Sequence, residues 1–167
     1  MKDTYTREEC AKYVEAVAII MSKLYYCMAR EMVSQLGEER GTEAVRRAVI
    51  EFGRMRGAQM REKADADGAE PTVAALGKYY DLPREVAWKN EVIRSQPQLV
   101  EKKATYCPFA EEWKRIGADA QKLGLIYCEQ DVSLRLAFNP DFVFEQFSNV
   151  LEGHEDCHTI LRHKDEK

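Results

Sequence analysis

Residues 86–108, VAWKNEVIRSQPQLVEKKATYCP, decide the fold, because the chain changes its hydrophobic period here. Upstream, apolar residues recur at three- and four-residue steps. Within 86–95 and 99–106 they mix with charged residues at strand-like spacing. Gln96-Pro97-Gln98 separates the two runs and reads as the turn of a hairpin. Cys107-Pro108 then returns the chain to a helical pattern.

Working outward toward the N-terminus, Thr6-Arg7-Glu8-Glu9 has the form of a capping box, so a long helix is expected from there to Leu36, stopped by Gly37. Val14, Val17, Ala18, Met21, Leu24, Tyr25, Met28 and Met32 form its expected buried face. Further apolar residues off that stripe suggest cover on more than one side. A second helix is expected over 42–63, with Val45, Ala48, Val49, Phe52, Met55 and Met60 inward. Gly53 and Gly57 share one of its faces. Two glycines within a helix each cost about 1 kcal/mol relative to alanine, so another backbone or a ligand should come close there. Residues 64–69 read as a loop, and Glu70-Pro71 opens a short helix ending near Tyr80.

Toward the C-terminus the pattern predicts a helix from Pro108 to about Lys122 and another over about 125–136. Strands are expected at 142–151 and 157–162, joined by Glu152-Gly153-His154-Glu155-Asp156. Helices first and antiparallel strands later define α+β, with N-terminal helices on one face of a roughly four-stranded sheet and two further helices between the hairpins. One domain is expected over 1–167, helical to 82 and mixed from 83. A chain of this length buries roughly two-thirds of its unfolded surface.

The formal net charge of -4, with no basic run, gives no electrostatic footprint for nucleic acid or an anionic membrane. The longest apolar run, residues 16–21, is far short of the roughly 20 residues that cross a bilayer, and the polar start MKDTYTREEC resembles neither signal nor anchor. Five cysteines, an odd number, in a chain able to build a core fit a reducing compartment, so a cytoplasmic location is expected. Surplus apolar surface on the first helix points to a homodimer.

Three cysteines attract chemistry. Proline at the first helical position makes Cys107 the cap, with its sulfur facing free amides and the positive end of the helix dipole; that arrangement lowers a thiol pKa. In Cys128-Glu129-Gln130-Asp131 the thiol and the carboxylate are three residues apart, on one helical face. Cys157 follows the turn Gly153-His154-Glu155-Asp156, with His158 after it. The plainer readings are a buried small hydrophobe for each thiol and solvated histidines around a hairpin. Cys10, Cys27, Trp88 and Trp113 read as core.

Taken in order, Met55-Arg56-Gly57, Cys107-Pro108, Cys128-x-x-Asp131 and the hairpin Leu151-x-Gly153-x-x-x-Cys157 resemble the L-2-amino-thiazoline-4-carboxylic acid hydrolase-like family. The resemblance spans about 52–161. By position it points to Cys107, Cys128, Asp131, Gly153 and Cys157, with Arg56 and Gly57 on the second helix. It implies a hydrolase that opens a small cyclic amidine or isothiourea, with a Cys107 thiolate attacking, Asp131 or a histidine moving protons and Arg56 binding a carboxylate beside Gly57. The turn GHEDCH departs from the family pattern by flanking its cysteine with histidines. That opens an alternative in which His154, Cys157 and His158 hold zinc, or the thiols hold an iron-sulfur cluster. A third reading is a non-enzymatic small-molecule or redox sensor, the pattern being similar to ligand-binding domains of the vinyl reductase type.

Overall fold

The computed structural model describes residues 4–166, so residues 1–3 and 167 of the expected domain lie outside the described part. Thr6 caps the first helix, α1 (Arg7–Leu36), with both halves of the capping box in place: the Glu9 amide donates to Thr6 Oγ1 at 3.2 Å and the Thr6 amide to the Glu9 carboxylate at 2.9 Å. Gly37 ends α1, and α2 (Glu38–Ala66) begins at the next residue, four residues earlier than expected. The short helices α3 (Val73–Lys78) and α4 (Arg84–Ala87) follow. The second of these displaces the start of β1 (Lys89–Gln96) from the expected position 86, and β2 is Leu99–Tyr106.

The next helical segment is divided three ways where two helices were expected: α5 (Pro108–Ile116), α6 (Ala118–Cys128) and α7 (Gln130–Phe138). The first break falls at Gly117, whose φ of 132° interrupts the helix, while Gly124 continues through α6. Gly124 stays because an added Cβ would meet the Trp113 indole. Strand β3 (Phe142–Gln146) is shorter than expected, since residues 150–152 form a 3-10 turn, and β4 (Cys157–His163) closes the fold.

The four strands form one antiparallel sheet in the order β1-β2-β4-β3, so the expected α+β architecture holds. Strand alternation sends Val100, Lys102 and Ala104 of β2 and Cys157, Thr159 and Leu161 of β4 to one face. Leu161 and Val100 on that face pack with Met60, Leu134 and Phe138 of the helices. A second cluster, built on Phe109, Trp113, Val150 and Leu151, takes in the three motif cysteines. No described helix is long and apolar enough to cross a membrane.

Two expectations about faces are corrected. On α1 the buried residues are Ala18, Ser22 and Ala29, whereas Val17, Met21, Leu24 and Met28 are exposed. Val14, Tyr25 and Met32 of the expected face do pack, half-buried, against the core, so the inward face combines small residues with these three. On α2, Val45, Val49 and Met60 are buried, but Ala48, Phe52 and Met55 are not. The inward face carries Gly53 and Gly57 instead, and α7 lies directly on them. A Cβ on Gly53 would fall on Ser133 and Gln130, and one on Gly57 on the Leu134 carbonyl and Ala137. The expected close neighbour is therefore a helix backbone.

Gly57→Ala gains about 1 kcal/mol of helix propensity but forces two backbones apart, an overpacking cost of about 1–3 kcal/mol. Thermal unfolding followed by circular dichroism should show a midpoint lowered by several degrees. Gly77→Ala in α3, where an added Cβ meets nothing, should not lower it. A raised midpoint for Gly57→Ala would contradict the close packing.

Candidate functional site

Strand β2 ends at Tyr106, leaving Cys107 in extended conformation (φ -134°, ψ 115°) as the cap of α5, with Pro108 in the first turn. The Trp88 indole Nε1 donates to its sulfur at 3.3 Å. Cys128 ends α6, and one residue separates it from α7, which carries Asp131 in its first turn. Cys157 opens β4 opposite Ala104; its sulfur accepts the Val150 amide at 3.4 Å and donates to Asn149 Oδ1 at 3.8 Å. Asn149 also favours charge on the Cys128 sulfur. Gly153, at φ 91°, closes the turn that holds Asn149 in place.

Cys107, Cys128, Cys157 and Asp131, separated by up to 50 positions, thus line one small cavity of about 60 Å³. Four aromatic side chains, Trp88, Phe109, Trp113 and Tyr127, make up much of its remaining wall, with the Gln130 and Asn149 amides among aliphatic neighbours, and the segment Tyr80, Leu82 and Arg84 bounds it on the half-exposed side.

Burial dominates the thiols. It pushes Cys107 up, although the Ala110 amide, the Trp88 indole, the Arg84 charge and the Phe109 amide all pull down. The lowered pKa expected from helix entry is therefore overturned: a dipole effect of about 1 kcal/mol does not offset the loss of water around a sulfur anion. Burial and the negative charge of Asp131 hold Cys128 well above its ordinary value, and burial also raises Cys157, against the Val150 amide.

The carboxylate behaves in the opposite way. Burial alone would raise Asp131, but Arg135, at 2.9 Å, and Arg84 bring it down to about 2, helped by Lys102. Burial, with the like charges of Arg84 and Arg135, pushes Lys102 down to about 7. Around Asp131 stand three cationic side chains for one anionic one. Of these, only Arg135 is ion-paired among the described residues; the Arg84 guanidinium lies 5.4 Å from the Tyr80 ring centroid and 3.4 Å from the Tyr80 hydroxyl.

Other residues expected at the site lie elsewhere. Arg56 is buried and fully engaged: Nε and Nη2 hold Asp81 at 2.8 and 2.5 Å, Nη1 holds Gln130 at 2.6 Å, and the guanidinium sits between the Phe52 and Tyr80 rings. Gly57 faces α7, not the cavity. Adjacent strand residues point to opposite faces, so His158 leaves Cys157 behind and meets Glu101 at 2.9 Å on the other side of the sheet. His154 is exposed in the turn. His154, Cys157 and His158 are thus not brought together, and among the described residues no group of three or more His, Cys, Asp or Glu side chains is placed to hold a metal. Cys27, expected in the core, is exposed. Sequence reading missed Arg84 and Asn149. Neither sits in a recognisable spacing, although the Pro83-Arg84 step after a predicted helix stop marks a turn that could carry function.

The chain belongs to the L-2-amino-thiazoline-4-carboxylic acid hydrolase family, whose model matches residues 17–161. No curated protein matches it. Among solved structures it is similar to the phenol-responsive sensory domain of the transcription activator PoxR with phenol, at 11% identity and a TM-score of 0.54, covering 90% of this chain and 76% of that one. That likeness concerns the fold.

Thiol alkylation follows the thiolate fraction, so a raised pKa shifts the reactive form to higher pH. Iodoacetamide labelling read by mass spectrometry should modify exposed Cys27 readily, while the rates at Cys107 and Cys128 keep rising beyond pH 9, the ordinary thiol value. A rate at Cys107 that levels off near neutral pH would contradict burial as the dominant effect.

Proposed function

We propose that the chain hydrolyses a small cyclic amidine or isothiourea bearing a carboxylate, in the manner its family name describes, at the cavity lined by Cys107. The observation that carries this reading is the meeting of three sequence-distant thiols and an ionised aspartate beside Arg84, which makes no ion pair among the described residues. Arg84 takes the role first given to Arg56, its planar fork matching a carboxylate. Asp131 faces the protonated amidine end of the ring.

Cys107 is the proposed nucleophile because the α5 amides, the Trp88 indole and Arg84 all favour charge on its sulfur. Its resting thiol is neutral, and the positive charge of the bound ring supplies the missing stabilisation. As the sulfur bonds to the carbon between ring sulfur and nitrogen, the thiol proton passes to a substrate nitrogen. The ring carbon–sulfur bond then breaks, with sulfur leaving as a thiol. Water adds to the same carbon and displaces Cys107 as a thiol, leaving a urea. At about 60 Å³ the cavity is smaller than the roughly 150 Å³ that accommodates benzene, so ring entry requires outward movement of Tyr80 and Arg84. Five unpaired cysteines support a reducing, cytoplasmic setting for this chemistry.

The aromatic wall and the neutral thiols favour a second reading, a sensor that binds a small ring without turning it over, as the fold of the phenol-responsive domain suggests.

With 2-amino-thiazoline-4-carboxylate, the wild-type chain should show turnover. Cys107→Ser should lose about a thousandfold or more in kcat, and Arg84→Met should raise KM about 10- to 100-fold, the worth of a charged hydrogen-bonded pair. Unchanged turnover in Cys107→Ser would remove it as nucleophile. Saturable binding without turnover in the wild type would select the sensor.

A further inference from the structure

Tyr13, Val17, Ile20, Leu24 and Met28 follow one another at steps of three and four along the outer face of α1, each 57–65% exposed. Over about 24 Å of helix this line contains no charge. Lone exposed hydrophobics are ordinary, but a continuous line of this length is not. It runs into an apolar groove of about 260 Å³ between α1 and α2, edged by Met21, Leu24 and Met28 on one side and Phe52 on the other.

We infer that this face is a symmetric interface with a second copy of the chain, α1 against α1, the partner's apolar side chains entering the groove. Steps of three and four are those of a helix seam, and a face without charge can meet its own twin with no like-charge contact along the line. The area agrees. Taking about 200 Å² for each fully exposed large side chain, the exposed parts of these five with Met21 and Phe52 give roughly 800 Å², what one partner contributes to a standard interface. The floor of the groove is Phe109 and Tyr127, which also wall the cysteine cavity, so the contact backs directly onto the site.

Sedimentation velocity on the full chain under reducing conditions should give twice the chain mass at micromolar concentration. The double variant Ile20→Glu, Leu24→Glu should weaken association about 100-fold or more with an unchanged circular dichroism spectrum. Hydrogen exchange on the wild type is independent of any variant, and protection over 13–28 should rise with concentration. A wild type that stays monomeric, a dimer indifferent to both charges, or a monomer whose groove holds a small apolar molecule in native mass spectrometry would each overturn the proposal.

Discussion

Two absent side chains hold this structure together. Gly53 and Gly57 let the backbone of α7 lie directly on α2, and that contact sets the height at which the α6–α7 junction meets the rest of the molecule. Cys128 and Asp131 flank that junction, so the depth of one helix pair determines whether they reach the end of β2 at Cys107. Arg56, one residue before Gly57, extends the contact. It ties Gln130 of α7 to Asp81, in the segment that covers the cavity, with its guanidinium held between two rings. Removing a donor from such a buried network leaves an unpaired charge or acceptor, which is why its contribution exceeds that of an exposed ion pair.

The cavity that results combines opposite electrostatic solutions. Its sulfurs are deprived of water with too little compensation and stay protonated, while its carboxylate has enough cationic neighbours to remain charged. The proposed ligand carries both signs and so answers both conditions. A carboxylate would satisfy Arg84, and a cationic ring would do for the thiols what the helix dipole alone does not.

Much of the fold was legible because it rests on local rules. The capping box at Thr6, the Gln96-Pro97-Gln98 turn and the Cys107-Pro108 helix entry each follow from residues within a few positions of one another. The errors came where packing decides. Val17 and Leu24 share the expected stripe with Ala18, and only the packing of the neighbouring helices leaves those two exposed while Ala18 is buried. In the site, the order of motifs identified the three cysteines, yet Arg56 and Arg84 could not be told apart by sequence. Arg56 stands inside α2 and Arg84 at the first position of α4, and what separates them as ligand groups is that Asp81 and Gln130 already occupy Arg56.

The most direct measurement is a crystal structure with 2-amino-thiazoline-4-carboxylate bound to the Cys107→Ser variant, so that the ring persists. The account predicts the ligand in the cysteine cavity, its carboxylate on Arg84, the carbon between sulfur and nitrogen in contact with residue 107, and the segment Tyr80–Arg84 displaced outward. A ligand seated on Arg56, or lodged in the α1–α2 groove with the cavity unchanged, would contradict it.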